Sequence, residues 1–378
     1  MKILFNFSFT KAGGGQNVAL NFLGSLNICD QKHEFLVCEN SLLHKYLVRI
    51  NNQNFKVVSN NPVKRIIWEF FRGRKFIADK NIQIIYTYFG FSFFPKNIPQ
   101  VIGAADSNLF YPEIDFWSEF SGFSLLKKKA IDLYRIYGLK NASGIIFENK
   151  LLNSRCIDIY NIKAKTTTIL PSINLEYEQL IFNLEDLMDF KYSRKGLFLC
   201  SWQEHKGILK IPEIACKLKE AGIFFSFILT APRDFSEMHL KFESLIEKYD
   251  VKEFISIIGP VKKRHLKSLY DQIDLVFLIS KLESFSNNII EAWAYEKVLI
   301  ISDEEWAHGL CGNAACYVAR NNVDSISNSI ITILDSRESN LEIIKNGKKE
   351  LKKLPTIEKR TSLELEFIKT VFENKCID

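Results

Sequence analysis

Short apolar runs alternate with helix-period segments along most of this 378-residue chain. The run "KILFNFSF" (2–9) leads into a glycine-rich loop and then "NVALNFLGSL", where apolar residues recur at helical spacing. The same order returns over 195–222, in "KGLFLCS", "WQEHKGI" and "LKIPEIACKLKEAG". Each copy opens a series of β-rich runs separated by helical patterns, which predicts parallel sheets. The strands are expected at about 2–9, 34–38, 82–88, 99–104, 143–147 and 166–170 in the first series. In the second they are expected at about 196–201, 223–230, 254–258, 274–280, 297–302 and 315–318. Pro171 and the acidic stretch 176–195 separate the two series. The predicted organisation is α/β: a Rossmann-like domain over 1–170, a linker over 171–194, and a second such domain over 195–356. A closing helix at about 357–378 follows, with the first domain as its expected packing partner.

Hydrophobic residues at 47% and charged residues at 25% can fill two cores. The apolar run "IIYTYFGFSFF" (84–94) falls short of the roughly 20 residues a membrane helix needs. The start, "MKILFNFSFTKAGGG", lacks the pattern of a signal peptide and reads as a first strand, so a cytoplasmic protein is expected. Eight scattered cysteines without close pairs read as reduced thiols. Charge divides unevenly. Residues 1–170 carry 22 Lys and Arg against 12 Asp and Glu, whereas the remainder carries 28 against 32. The basic first half suits an anionic partner. Within it, "VKRIIWEFFRGRKFIADK" (63–80) interleaves Arg65, Arg72, Arg74 and Lys75 with Trp68, Phe70 and Phe71. That segment reads either as a helix packed on its sheet or as a surface for the anionic inner face of a membrane. No nucleic-acid recognition motif is present.

In doubly wound sheets the loops after the strands' carboxyl ends line the ligand crevice, which singles out four loops. "TKAGGGQN" brings backbone close to a ligand at a helix start, or is a flexible turn. A dinucleotide fingerprint with Glu39 as its ribose acid is a rival, but Val18 stands where a third small residue is needed. "SWQEHKGI" offers Lys206 beside a helix start, as a phosphate ligand or a solvated lysine; His205 reads as polar surface. After Gly259-Pro260, Lys262, Lys263 and Arg264 open a helix whose apolar stripe is Leu266, Leu269, Tyr270 and Ile273. The fourth loop, in "KLESFSNNIIEAWAYEKVLIISD" (281–303), holds Glu283 just before a helix and Glu291 about one and a half turns inside it. Free N–H groups of residues 284–287 favour phosphate, and carboxylates favour hydroxyl donors. Amides for phosphate and acids for hydroxyls describe a nucleotide-sugar site.

This constellation resembles the retaining GT-B glycosyltransferases of the group-1 (family 4) class. Their Glu-x7-Glu signature is similar to Glu283…Glu291, accompanied by the "GPV…LYDQIDLVFLIS" run, the "HKG" loop, the "GGGQNVALNFL" opening and "CGNAACYV" (311–318). The resemblance covers most of 195–335 and the first 25 residues. It implies two domains facing across a cleft, with Glu283 on hydroxyls of the transferred sugar and Glu291 on the nucleotide ribose. It further implies Lys206 and the amides of Ser284, Phe285, Ser286 and Asn287 on the diphosphate, backbone near Val261 on the base, and Gly14 and Gly15 facing the phosphates. Two positions depart from the class. Ser201 and Cys200 stand where it usually has an arginine, and Ala105 and Asp106 stand where a histidine is frequent. Asp106 is thus the acceptor-side candidate.

Breaking the sugar–phosphate bond builds charge on the leaving diphosphate, which Lys206 and the helix-end amides can stabilise. No Asp-x-Asp pair occurs, so no metal and no cofactor is expected beyond a UDP- or GDP-sugar donor. His308, Cys311 and Cys316 lack the paired spacing and fourth ligand of a zinc site. The expected activity is metal-independent retaining transfer to a glycan or polyprenyl-linked acceptor in bacterial surface polysaccharide synthesis. A non-catalytic partner subunit, and a nucleotide-sugar epimerase or nicotinamide enzyme, are the alternatives.

Overall fold

The computed structural model describes residues 1–10, 13–26, 32–95, 97–172, 180–181, 183–186 and 190–375. The chain forms two compact units, Met1–Asn174 with Leu354–Asp378, and Leu175–Lys353. Lys11 and Ala12 of the glycine segment, Cys29, Cys376 and much of the acidic stretch lie outside the described residues.

The first unit is built on β1 (Ile3–Asn6), β2 (Glu34–Cys38), β3 (Phe55–Val58), β4 (Ile84–Thr87), β5 (Gln100–Ala104), β6 (Gly144–Phe147) and β7 (Lys165–Thr168). They form one parallel sheet in the order β3-β2-β1-β4-β5-β6-β7. Strands buried on both faces read as near-continuous apolar runs, as in "ILFN" and "IIYT". β3 escapes the sequence reading because it is a sheet edge: "FKVV" is mostly half-exposed and sits among asparagines. Alternate side chains divide between two layers. Ile3, Phe5, Ile84 and Tyr86 meet the helices Gly13–Ser25, Leu42–Arg49 and Ile357–Lys375. Leu4, Leu36 and Ile85 meet Ile77, Phe94 and Trp68 on the other face.

The closing helix is bound to this unit through Phe367, Ile368 and Val371, which join its core. A Cβ at Gly144 would lie 2.7 Å from Val371, so the glycine sets how closely helix and β6 approach. A buried polar cluster accompanies that contact: Tyr86 donates to Glu364, and Arg360 bridges Glu364 and Glu148.

The segment 62–79 consists of the helices Pro62–Trp68 and Arg74–Asp79 joined through a π-helical turn, Glu69–Gly73. Asn61 caps the start by accepting from the Val63 and Lys64 amides. Arg65 is not a surface cation. It is buried, donates to the Ser8 carbonyl at 2.9 Å and lies over the Phe9 ring, with Glu69 3.8 Å away. Trp68 packs inward against Phe76 and Phe94. Phe71, at 80% exposed, and Ile67 face outward beside Arg72, Arg74 and Lys75.

The second unit is built on β8 (Lys195–Phe198), β9 (Ser226–Leu229), β10 (Ile255–Ile257), β11 (Leu275–Leu278), β12 (Val298–Ser302) and β13 (Cys316–Val318). Its parallel sheet has the order β10-β9-β8-β11-β12-β13. The order reverses direction between β8 and β11, and ligand crevices form at such points in open α/β sheets. Of the expected linker, 171–194, the described residues from Leu180 onward fall with this unit: Leu184 is buried and Tyr192 joins its core.

Candidate functional site

The site is assembled at the carboxyl ends of β8 and β11. The loop after β11 ends at Ser286, which is the N-cap of the helix Asn287–Ala294 in extended conformation. Its side chain makes no capping hydrogen bond, so the first-turn amides are not spent on it. Three anchors hold the loop and helix start. Ser302 Oγ donates to the Ser280 carbonyl at 2.7 Å, Trp306 Nε1 to the Lys281 carbonyl at 3.2 Å, and Asn288 Nδ2 to the Leu199 carbonyl at 2.9 Å.

Lys206 closes a 3-10 turn, Glu204–Lys206, that ends on Gly207 at φ +74°. A Cβ at Gly207 would lie 2.8 Å from the Ile279 carbonyl oxygen, so both the conformation and the close approach require glycine. The Lys281 amide donates to the His205 carbonyl at 2.6 Å, fastening this turn to the loop after β11. In consequence Lys206 Nζ donates to Glu283 Oε1, with both side chains partly buried.

Glu291 lies deeper, only 8% exposed, and accepts from the Tyr270 hydroxyl at 3.1 Å. Burial raises its carboxyl pKa to about 7, opposed by the Tyr270 hydrogen bond and the charge of Lys263. Tyr270 is the functional neighbour missed in the sequence, where it reads as one position of an apolar stripe. Val261 lies in the turn after β10, two residues before Lys263. The structure therefore gathers Lys206, Glu283, Ser284, Phe285, Ser286, Asn287 and Glu291 around one helix start.

Gly14, Gly15 and Asp106 belong to the first unit. The glycines are not a loop: the helix Gly13–Ser25 already begins with them. A Cβ at Gly15 would make ordinary contact, at 3.4 Å, with the Phe89 ring in the loop after β4. Glu39, the rival ribose acid, accepts from Ser59 Oγ at 3.2 Å and the Asn60 amide at 2.9 Å. Asp106 follows β5 and is paired with Arg135 at 2.9 Å; Arg135 also meets Asp132 at 3.3 Å. Arg135 and Asp132 lie too far along the chain for spacing to have linked them to Asp106. Among the described residues, no group of three His, Cys, Asp or Glu is placed to hold a metal. His308 instead pairs with Asp303 at 2.6 Å and stacks on Tyr317.

Residues 205–350 match the family model described as glycosyl transferases group 1. That match lies within the second unit. Both glutamates, Lys206 and Tyr270 fall inside that group-1 match. Among solved structures, the chain is similar to sucrose-phosphate synthase from Thermosynechococcus elongatus, with TM-score 0.73 and 15% identity over 99% of this chain and 100% of that one. It is similar to a glycosyltransferase from Rickettsia africae ESF-5, with TM-score 0.71 and 16% identity over 99% of each chain. A third likeness is to Anabaena Alr3699/HepE, solved with UDP-glucose, with TM-score 0.68 and 17% identity over 98% of this chain and 100% of that one. No curated protein sequence matches. The two parallel-sheet units are the GT-B fold of these structures.

Proposed function

We propose that the protein is a retaining, metal-independent glycosyltransferase that takes its sugar from a nucleotide-diphospho-sugar. One observation carries the reading: Lys206 and Glu283 meet at the uncapped start of the helix that buries Glu291, inside the group-1 match. In this reading Lys206 and the amides of residues 284–287 bind the diphosphate, and Glu283 takes hydroxyls of the sugar. Glu291 takes the ribose, and backbone near Val261 meets the base. The solved structure of HepE with UDP-glucose supports a donor of this class.

Transfer breaks the bond between anomeric carbon and diphosphate oxygen and forms one to an acceptor hydroxyl, whose proton leaves with the diphosphate. Charge then grows at the helix amides, within reach of Lys206 once it turns, which lowers the barrier. Lys206 must turn from Glu283 towards the diphosphate, which frees Glu283 for the sugar. The acceptor is a glycan or lipid-linked glycan of a bacterial surface polysaccharide, met through the first unit, where Asp106 lies; Gly14 and Gly15 are assigned to the donor phosphates. The exposed Ile67 and Phe71 beside Arg72, Arg74 and Lys75 suit contact with an anionic membrane face. Among the described residues, no helix is long and apolar enough to cross a membrane.

The test is donor turnover by the purified protein against a panel of nucleotide-sugars. Release of a nucleoside diphosphate from one of them, abolished in Glu283→Gln, supports the reading. A second reading, a non-catalytic partner subunit, draws on the absence of an arginine at Cys200 and Ser201. It predicts nucleotide-sugar binding with no release.

A further inference from the structure

Among its described residues, the connection from β4 to β5, Tyr88–Pro99, has no helix, although a parallel crossover normally supplies one. The sequence "FSFF" (91–94) fills that place between the helices of segment 62–79 and the helix Gly122–Asn141. Two glycines let the flanking helices close on it. A Cβ at Gly73 would lie 2.6 Å from the Phe94 ring, and one at Gly138 would lie 2.5 Å from Phe91 Cβ.

The packing leaves a cavity of about 430 Å³, lined chiefly by Phe70, Phe91, Phe93, Phe94, Tyr137 and Arg74. That is the size of a small-molecule pocket. Its other polar lining groups are already engaged. Gln100 exchanges two hydrogen bonds with the Ser92 backbone, Asn141 donates to the Tyr137 carbonyl, and Ser143 accepts from the Gln100 amide. What remains for a ligand is aromatic wall, the Tyr137 hydroxyl and one guanidinium. Among the described residues, Arg72, Arg74 and Lys75 have no carboxylate partner, in contrast to the buried Arg65. An apolar chamber with unpaired cations at one side fits an amphiphile whose chain enters and whose anionic head stays outside.

We infer that this pocket holds the first segment of the hydrocarbon chain of a lipid phosphate or diphosphate, with the phosphate paired to Arg74. Identifying that lipid as the carrier of the sugar acceptor rests on the proposed transferase reading; the pocket itself does not. A bilayer contact made only by Phe71 and Ile67 is a different arrangement, and it needs no cavity.

The full chain is titrated by calorimetry with farnesyl diphosphate, inorganic diphosphate and farnesol, and separately with phosphatidylglycerol vesicles. Farnesyl diphosphate is expected to bind at least about tenfold more tightly than either fragment. Arg74→Ser should weaken farnesyl diphosphate about tenfold and leave farnesol unchanged, whereas Phe70→Ser should weaken both. Melting temperature and nucleotide-sugar affinity, read in the same preparations, should stay at wild-type values and show that neither variant is misfolded. Equal binding of inorganic and farnesyl diphosphate would overturn the inference, as would indifference to both substitutions or binding to vesicles alone. Loss of nucleotide-sugar binding by the wild type with farnesyl diphosphate binding intact would sink the transferase reading and spare the pocket.

Discussion

At the scale of single residues, the two glutamates differ in environment, and that difference is measurable. Glu283 pairs with Lys206 at the mouth of the site, whereas Glu291 is buried under the Tyr270 hydroxyl. Glu283→Gln should lower kcat by two or more orders of magnitude with little change in donor affinity, because the proposed function assigns it to the reacting sugar. Glu291→Gln should instead raise KM for the donor, and steady-state kinetics separate the two outcomes. A pH dependence follows from the Glu291 carboxyl, raised to about 7. Ribose hydroxyls donate best to the ionised form, so nucleotide affinity should increase as pH rises from about 6 to 8, and Glu291→Gln should flatten that profile. Stability runs the other way. A carboxyl whose folded pKa is raised favours the fold below its unfolded pKa, and that advantage is lost as pH rises through about 7. Thermal melts should show Glu291→Gln gaining on wild type as pH rises from 5 to 8, by up to about 3 kcal/mol. A gain that is the same at both pH values would contradict this.

At the scale of elements, positions were legible where a strand was buried on both sides, and illegible where tertiary contact decided a residue's role. "LVFL" and "VLIIS" announce central strands, whereas "FKVV" at the edge carries no such run. Tyr270 sits in an apolar stripe and is indeed buried, yet its hydroxyl serves a carboxylate that the stripe cannot reveal. Arg65 has the spacing of a surface cation, but Ser8, Phe9 and Glu69 claim it. Its loss would leave Glu69 buried without its charged neighbour, so Arg65→Ser should cost about 3 kcal/mol in urea unfolding. Arg72→Ser and Lys75→Ser should cost under about 0.5 kcal/mol. A vesicle-binding test of this segment therefore needs the Arg72/Arg74/Lys75 set without Arg65. The turn ending at Gly207 is equally specific. Gly207→Ala strains φ +74° and meets the Ile279 carbonyl, displacing Lys206. Turnover should fall at least about tenfold, out of proportion to a destabilisation of roughly 1–2 kcal/mol.

At the scale of the whole molecule, the repeated strand–loop–helix opening at residues 2 and 195 announces two parallel sheets, and both are present. The last helix belongs to the first unit, although it follows the second in the chain. Val371 against Gly144 and Arg360 between Glu148 and Glu364 explain why, and none of those pairings has a local signature. The proposed donor site could be read as a cluster because its residues lie in short loops of one unit. The surroundings of Asp106 are not, because Arg135 reaches it from another helix. The central claim is that the helix start at Asn287, with Lys206, Glu283 and Glu291, turns over a nucleotide-sugar. The direct measurement is nucleoside diphosphate release from a panel of UDP- and GDP-sugars by wild type, Glu283→Gln and Glu291→Gln, with binding of each donor measured in parallel. The account predicts release from at least one donor by the wild type, near-complete loss with retained binding in Glu283→Gln, and weakened binding in Glu291→Gln. Release that is indifferent to both substitutions, or no binding of any nucleotide-sugar, would contradict it.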